Sequence, residues 1–170
     1  IGDQQGNVIH LGERDCTLQR RHQKLVEESP SPAITARVRA DLCAAAVKLA
    51  KASNYNNAGT VEFLVDASGD FYFLEVNARL QVEHGVTETI THRDLVRCQV
   101  LIAAGERLPF TQEQLRTVGH AIEVRICAED AARGFVPATG LIERHIAPTG
   151  PGIRVDSGVA EGTIVSPYYD

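Results

Sequence analysis

The stretch that decides the fold is residues 60–77, TVEFLVDASGDFYFLEVN. Apolar residues recur at alternate positions before and after Ser68 and Gly69, a dipeptide that is typical of a tight turn. This pattern predicts a β-hairpin in which Leu64 lies opposite Phe73. A turn of two residues and a turn of four residues give the same register.

The predicted register brings acidic side chains together across the two strands. Glu62 lies opposite Glu75, and Thr60 lies opposite Asn77. Opposed side chains have Cβ atoms about 4.5–5.5 Å apart, so two carboxylates there repel by about 3 kcal/mol at an effective dielectric of about 20. Carboxylate and amide oxygens suit a hard cation such as Mg²⁺, which removes the repulsion. The alternative is an exposed face whose charges point apart into water, or a bulge that breaks the register.

Polar residues continue at every second position after the hairpin. Glu75 is followed by Asn77, Arg79, Gln81 and Glu83, and apolar residues fill the gaps. If the backbone stays extended, the polar groups line one face and the apolar groups pack inward, although a solvated edge strand shows the same pattern. This set indicates a Mg-nucleotide site with an anionic second substrate, because it combines two metal ligands, a guanidinium, an amide and a potential base.

Three helices are predicted around the hairpin. Apolar residues at three- and four-residue steps predict a helix from an N-cap at Thr35 to about Ala52. Residues 91–94 have the pattern of a capping box ahead of a second helix, which Gly105 ends. A short helix is predicted from about Gln112.

Strands are also predicted at residues 8–11, 119–127 and 141–146, whereas residues 13–28 are a charged stretch without a predicted element. A boundary between two lobes is predicted near residues 105–118. These elements predict an α+β fold.

Composition excludes several classes of protein. The 170 residues include 17 Lys+Arg and 22 Asp+Glu, a net charge of −5 that argues against a general nucleic-acid or anionic-membrane surface. No apolar run is long enough to span a bilayer. Four cysteines without metal-type spacing indicate reduced thiols in a cytosolic-type compartment. Because the chain starts at Ile1 and contains no methionine, we expect it to be a piece of a longer protein.

Two long motifs resemble one known family. Residues 12–24, GERDCTLQRRHQK, and residues 73–84, FLEVNARLQVEH, are similar to signatures of the biotin carboxylases. Residues 119–125, GHAIEVR, and residues 154–158, RVDSG, resemble later segments of that family, so the resemblance covers essentially the whole chain. Gly85 departs from the pattern, because many members have proline there.

The resemblance implies an ATP-grasp core with an antiparallel sheet and packed helices, plus the start of the biotin carboxylase C-terminal domain. We expect residues 1–110 to be the C-terminal part of the ATP-grasp domain and residues 111–170 the beginning of the next domain, both truncated. The family's N-terminal domain and glycine-rich lid are expected outside these residues. The 170-residue chain alone is therefore expected to show no turnover.

The resemblance also implies a ligase activity. Bicarbonate and MgATP form carboxyphosphate, whose CO₂ carboxylates biotin on a carrier protein, so ATP, Mg²⁺ or Mn²⁺, biotin and bicarbonate are the implied cofactors and substrates. The implied partners are a biotin carboxyl carrier, a carboxyltransferase and a second copy in a homodimer, with neither nucleic acid nor membrane. The implied location is the cytoplasm, or the mitochondrial matrix in a eukaryote. Acetyl-CoA, propionyl-CoA, methylcrotonyl-CoA, pyruvate and urea carboxylases share this domain.

Individual roles follow from the same resemblance. Glu83 matches the general base that takes the bicarbonate proton, and Arg79 and Arg125 complete the catalytic set. The positions matching the bicarbonate and biotin pocket are Lys24, Arg79, Gln81, Val82, Glu83 and Arg125. The positions matching ATP contacts are Gln19, His22, Glu62 and Glu75, and those matching metal ligands are Glu62, Glu75 and Asn77.

Two other functions stay open at this point. Another ATP-grasp ligase, which joins a carboxylate to an amine through an acyl phosphate, would share Glu62, Glu75 and Asn77 without needing residues 79–83. The third possibility is a non-catalytic module that serves assembly with carrier or transferase subunits.

Overall fold

A computed structural model describes residues 1–168, leaving Tyr169 and Asp170, the end of the predicted second domain, outside the described residues. The chain forms two compact units, Ile1–Arg125 and Ile126–Asp170. The elements of the first unit are β1 (Asp15–Arg20), β2 (Gln23–Ser29), α1 (Ala36–Ala52), β3 (Thr60–Val65), β4 (Phe71–Asn77), α2 (His84–Thr91), α3 (Leu95–Ala103), a 3₁₀ turn (Gln112–Gln114) and β5 (Ala121–Val124).

Antiparallel pairing and separate helices confirm the predicted α+β class. One sheet has the order β1-β2-β5, and β3 and β4 form a separate hairpin. Three helices contribute most of the buried apolar side chains of the unit. Those side chains are Val38, Leu42, Cys43, Val86, Ile90, Leu95, Cys98 and Ile102.

Within its described residues, the second unit has short strands and a 3₁₀ turn at Ala131–Arg133. The strands are β6 (Glu129–Asp130), β7 (Val136–Pro137), β8 (Gly140–Leu141) and β9 (Ile164–Val165). The predicted strand at residues 141–146 is therefore too long, because pairing with β9 covers only Gly140 and Leu141. No helix within residues 1–168 is both long and apolar enough to cross a membrane.

The β3–β4 hairpin has the predicted register at its open end. Glu62 lies opposite Glu75. Nearer the turn the prediction was wrong, because Leu64 lies opposite Tyr72 instead of Phe73. The two ends of the hairpin therefore differ in register by one residue.

A β-bulge at Leu74 accounts for this difference. The amide of Asp66 donates to the Asp70 carbonyl at 2.9 Å, which closes the turn around three residues. The extra residue Leu74 then shifts the pairing by one, so that Thr60 lies opposite Asn77 as predicted. A bulge also increases the local twist of the strands.

The two long predicted helices are confirmed, with one change of cap. The Thr35 side chain accepts a hydrogen bond from the Val38 amide at the start of α1. Asp94, rather than Thr91, caps α3 by accepting from the Arg97 amide, while Thr91 is the last residue of α2. The aspartate competes successfully for the N-cap because its carboxylate satisfies an unpaired amide of the first turn.

Strands β1 and β2 of the three-stranded sheet were not predicted. Residues 15–29 form β1 and β2, and Val26 of β2 pairs with Val124 of β5. The predicted strand at residues 119–127 is thus shorter, and the predicted strand at 8–11 is reduced to a bridge at Val8. This pairing brings β2 beside the segment that ends at Arg125.

Candidate active site

The open end of the hairpin carries a polar cluster centred on Glu62. Its Oε1 accepts from Lys24 Nζ at 2.6 Å, from Gln81 Nε2 at 2.9 Å and from Asn77 Nδ2 at 3.1 Å. Asn77 Nδ2 also donates to Glu75 Oε1 at 2.9 Å. An amide and an ammonium therefore offset the repulsion that two opposed glutamates create.

The oxygens that remain suit a divalent cation. Within the described chain, Glu62 Oε2 accepts no hydrogen bond, and neither does Glu75 Oε2. No group of three or more His, Cys, Asp or Glu side chains among residues 1–168 forms a complete metal site. Two carboxylates fit Mg²⁺, which commonly binds through one or two carboxylates plus waters and phosphate oxygens.

A second, buried cluster surrounds Glu83. The side chain of Glu83 is only 3% exposed and lies between two cations. Lys24 Nζ donates to its Oε1 at 3.0 Å, and Arg125 Nη2 donates to its Oε2 at 2.9 Å. The Cys16 thiol lies 3.8 Å from Oε1. Lys24 therefore links the two clusters, because it contacts both Glu62 and Glu83.

The surrounding charges keep Glu83 ionised. Burial alone would raise the pKa of Glu83, but hydrogen bonds from its own amide and from Lys24, with the positive charges of Lys24 and Arg14, lower it below 4.5. Burial likewise opposes the charge of Lys24, yet its hydrogen bonds to Glu62 and Glu83 raise the pKa of the ammonium. At neutral pH the site thus holds a carboxylate that can accept a proton.

The Cys16 thiol beside Glu83 is not a nucleophile. Burial raises the pKa of Cys16 to about 12, with Lys24 acting in the opposite direction. Such a thiol stays protonated and serves as a weak hydrogen-bond donor. It is one of four free cysteines in the chain.

The predicted extended face over residues 75–83 was wrong. Strand β4 ends at Asn77, and the His84 amide donates to the Gln81 carbonyl at 3.2 Å in a turn that starts α2. Gln81 and Glu83 are buried, whereas Val82 is 61% exposed. The turn, and not alternation along a strand, carries Gln81 and Glu83 into the site.

Two predicted residues lie away from both clusters, and a third contacts only the edge of the cluster centred on Glu62. Gln19 and His22 are exposed on and beside β1, and the Gln19 amide donates to the Cys16 carbonyl at 3.0 Å. Arg79 is exposed and is held by Asn77 Oδ1 at 3.4 Å. Within the described residues, neither Gln19 nor His22 makes a hydrogen bond to Glu62.

Arg14, which was not predicted as a site residue, orients Gln81. Its guanidinium donates to Gln81 Oε1 at 2.7 Å, to Thr60 Oγ1 at 2.9 Å and to Thr87 Oγ1 at 3.1 Å. Because the amide oxygen of Gln81 accepts from Arg14, its nitrogen is turned toward Glu62. No periodicity reveals this contact, since the partners are 46 to 73 residues apart in the chain.

Glu27, a buried carboxylate on β2, was not predicted as a site residue either. Its side chain is 0% exposed, and Arg125 Nη2 lies 2.6 Å from its Oε1. The one available signal was an acidic residue directly after the apolar pair Leu25 and Val26, on a segment that was interpreted only as charged.

The fold and the two clusters define an ATP-binding domain of the ATP-grasp type. Residues 1–111 match the family model of the carbamoyl-phosphate synthase L chain, ATP binding domain, and residues 123–170 match that of the biotin carboxylase C-terminal domain. The chain belongs to the biotin carboxylase family, as the motifs at residues 12–24 and 73–84 predicted.

Relatives and solved structures agree with this assignment. The chain is 56% identical over 171 residues to the methylcrotonoyl-CoA carboxylase subunit alpha of Glycine max and 55% identical over 170 residues to a biotin carboxylase of Nostoc sp.. It superposes with a TM-score of 0.96 and 53% identity on the biotin carboxylase domain of a thermophilic 2-oxoglutarate carboxylase bound to bicarbonate. A structure of the Hydrogenobacter thermophilus domain with MgADP, ADP and bicarbonate gives the same values.

All 170 residues are covered in these matches, but the chain spans only part of each relative. It covers 23% of the Glycine max protein and 38% of the Nostoc protein. It also covers 38% of each 2-oxoglutarate carboxylase domain.

Proposed function

We propose that the protein containing this chain carboxylates biotin on a carrier protein, using ATP and bicarbonate through carboxyphosphate. The observation that carries the proposal is the buried, ionised Glu83 between Lys24 at 3.0 Å and Arg125 at 2.9 Å. Such a carboxylate can take the bicarbonate proton as the anion attacks phosphorus. The two cations hold it in place and favour the anionic substrate beside it.

The hairpin end is proposed as the metal and nucleotide site. Glu62 and Glu75 would hold Mg²⁺ or Mn²⁺, with Asn77 beside them. When bound, the cation neutralises charge on the phosphate oxygens of the nucleotide. Lys24 holds Glu62 at 2.6 Å and so keeps the metal side of the site next to the base.

The remaining pocket residues are proposed from the family motif. Arg79, Gln81, Val82 and Arg125 would line the bicarbonate and biotin pocket together with Lys24 and Glu83. Gln19 and His22 would contact ATP. Arg79 is exposed next to Asn77, and its guanidinium forms no ion pair within residues 1–168. Both features support the binding of an anionic ligand by Arg79.

Partners and domains are also part of the proposal. A biotin carboxyl carrier, a carboxyltransferase and a homodimeric state are proposed, because relatives are named as subunits of methylcrotonoyl-CoA and pyruvate carboxylases. Residues 1–110 and 111–170 are proposed as parts of two domains, which the separate family matches support. The cytoplasm or the mitochondrial matrix is the proposed location, because relatives include bacterial biotin carboxylases and mitochondrial plant subunits.

The test is ATP hydrolysis by the full-length protein. We expect hydrolysis that requires bicarbonate and rises when free biotin is added, with carboxybiotin as a product. Hydrolysis that depends on neither bicarbonate nor biotin but requires an amine would favour an ATP-grasp carboxylate–amine ligase. Absence of any ATP turnover would favour a module that serves assembly alone.

A further inference from the structure

Glu27 is a fully buried carboxylate that the proposed chemistry does not use. Its side chain is 0% exposed, and its Oε2 has no hydrogen-bond partner within the described residues. Burying a carboxylate is costly unless a cation compensates it. Apolar packing therefore does not explain why a carboxylate occupies this position.

Its compensating cation is Arg125, and the geometry of the pair is specific. Arg125 Nε donates to Glu27 Oε1 at 2.8 Å, and Nη2 lies 2.6 Å from the same oxygen. The edge of the guanidinium formed by Nε and Nη2 is thus fixed on one oxygen. The pair spans two neighbouring strands, since the register aligns Glu27 with Glu123 and the Arg125 amide donates to the Leu25 carbonyl at 2.9 Å.

This anchoring limits what Arg125 does at Glu83. Only Nη2 reaches the base, donating to Glu83 Oε2 at 2.9 Å. Nη1 makes no hydrogen bond within residues 1–168, so its two N–H groups are left for a ligand. Without Glu27, the guanidinium would be free to form a two-pronged ion pair with Glu83, the arrangement that Arg and carboxylate prefer.

We propose that Glu27 is a positioning residue that holds Arg125 by one edge, so that Arg125 touches Glu83 through one nitrogen and keeps Nη1 for the anionic substrate. The inference rests on the proposed function. Glu27 touches no substrate and acts through Arg125. Its removal is expected to let Arg125 close on the base and block bicarbonate.

The experiment compares kinetic constants of full-length variants. We expect Glu27→Gln to raise the KM for bicarbonate and lower kcat/KM for bicarbonate by about 10- to 100-fold, with the KM for ATP unchanged. Glu28→Gln is the matched control: Glu28 is the next residue on β2 and pairs with His120 at 2.8 Å, away from Arg125, so its constants should equal those of the wild type.

A double-variant cycle with Arg125→Gln separates positioning from mere folding. If Glu27 acts through Arg125, adding Glu27→Gln to Arg125→Gln costs no more than about twofold, because the group it positions is already gone. Glu27→Asp keeps the charge and is expected to recover part of the loss; it replaces Glu27→Gln in the cycle if the amide does not fold.

Three results would overturn the inference while leaving the proposed function intact. They are additive losses in the cycle, an equal rise in the KM values for ATP and bicarbonate, and wild-type constants in Glu27→Gln. Failure of the proposed function has a different signature, because the wild-type protein would then show no bicarbonate-dependent, biotin-stimulated hydrolysis.

Discussion

The cluster centred on Glu62 and the buried cluster around Glu83 compensate their negative charges in different ways. At the hairpin, Glu62 is 21% exposed and leaves Oε2 without a partner in the described chain. In the buried cluster, Glu83 is 3% exposed and each of its oxygens accepts from a cation. The hairpin is open to an exchangeable cation, whereas the buried cluster is compensated by residues of the protein itself.

This difference supports the different tasks that we propose for the two clusters. Carboxylate oxygens near solvent can bind and release a hydrated metal with its nucleotide. A buried carboxylate held at both oxygens keeps a fixed position and charge, which a general base requires. Lys24 joins the two, because Nζ contacts Glu62 at 2.6 Å and Glu83 at 3.0 Å.

The largest effect is expected from removing the proposed base, Glu83. Glu83→Gln keeps the shape of the side chain but cannot take a proton, so biotin carboxylation by the full-length enzyme should fall by about 10²- to 10⁴-fold. Steady-state carboxybiotin formation measures it, with Glu28→Gln as the control. Full activity in Glu83→Gln would contradict the proposed role of Glu83 as the base and, with it, the division of tasks between the two clusters.

A smaller effect, confined to the metal, is expected at the hairpin. Glu75→Gln removes one of the two proposed anionic ligands without disturbing the Glu83 cluster, so the Mg²⁺ concentration for half-maximal hydrolysis should rise by about 10- to 100-fold. A Mg²⁺ titration at saturating ATP measures this. Asp70→Asn, a change at the distant turn of the same hairpin, should leave the titration unchanged.

A smaller effect still is expected from Arg14, which supports both groups indirectly. Arg14→Met leaves the Gln81 amide without its 2.7 Å donor and lets it turn away from Glu62. We expect kcat/KM for bicarbonate to fall by about tenfold, the scale of one charged hydrogen bond. Thr60→Val removes another partner of Arg14 but spares the contact to Gln81, and should cost less. Equal losses in both variants would contradict the orienting role.

The smallest effect is the pH dependence of stability. Because the pKa of Glu83 is lowered below 4.5, its contribution to the free energy of unfolding is fully present above that value. It is lost as the pH falls through the folded-state pKa. Urea unfolding of the full-length protein at pH 7 and pH 4 should therefore show a smaller pH-dependent loss in Glu83→Gln than in the wild type. An identical loss in both would contradict the lowered pKa.

The hairpin and the two long helices were predictable because their signals are local. Turn residues at Ser68 and Gly69 and a threonine cap at Thr35 act within a few residues of the chain. The register at Glu62 was right even though the turn is tighter than predicted, because the bulge at Leu74 compensates. Local chemistry predicted the hairpin. It could not reveal that the tighter turn and the bulge at Leu74 shift the register in opposite directions and cancel.

Strands β1 and β2 and helix α2 were not predictable for physical reasons. Register shifts on both sides of Leu18 break the alternation of β1, so no period of two is visible there. Helix α2 has the sequence HGVTETIT, in which glycine and β-branched residues have low helix propensity, so burial rather than propensity stabilises it. Glu27 and Arg14 form their contacts only after distant strands pair.

Nucleotide binding separates the two carboxylate groups most directly. Isothermal titration of full-length Glu75→Gln and Glu83→Gln with ADP, with and without Mg²⁺, reports on the metal site without any catalytic step. We expect Glu75→Gln to lose most of the gain in affinity that Mg²⁺ provides, whereas Glu83→Gln keeps the wild-type gain. An equal loss in both variants would contradict the division of tasks between the open hairpin and the buried base.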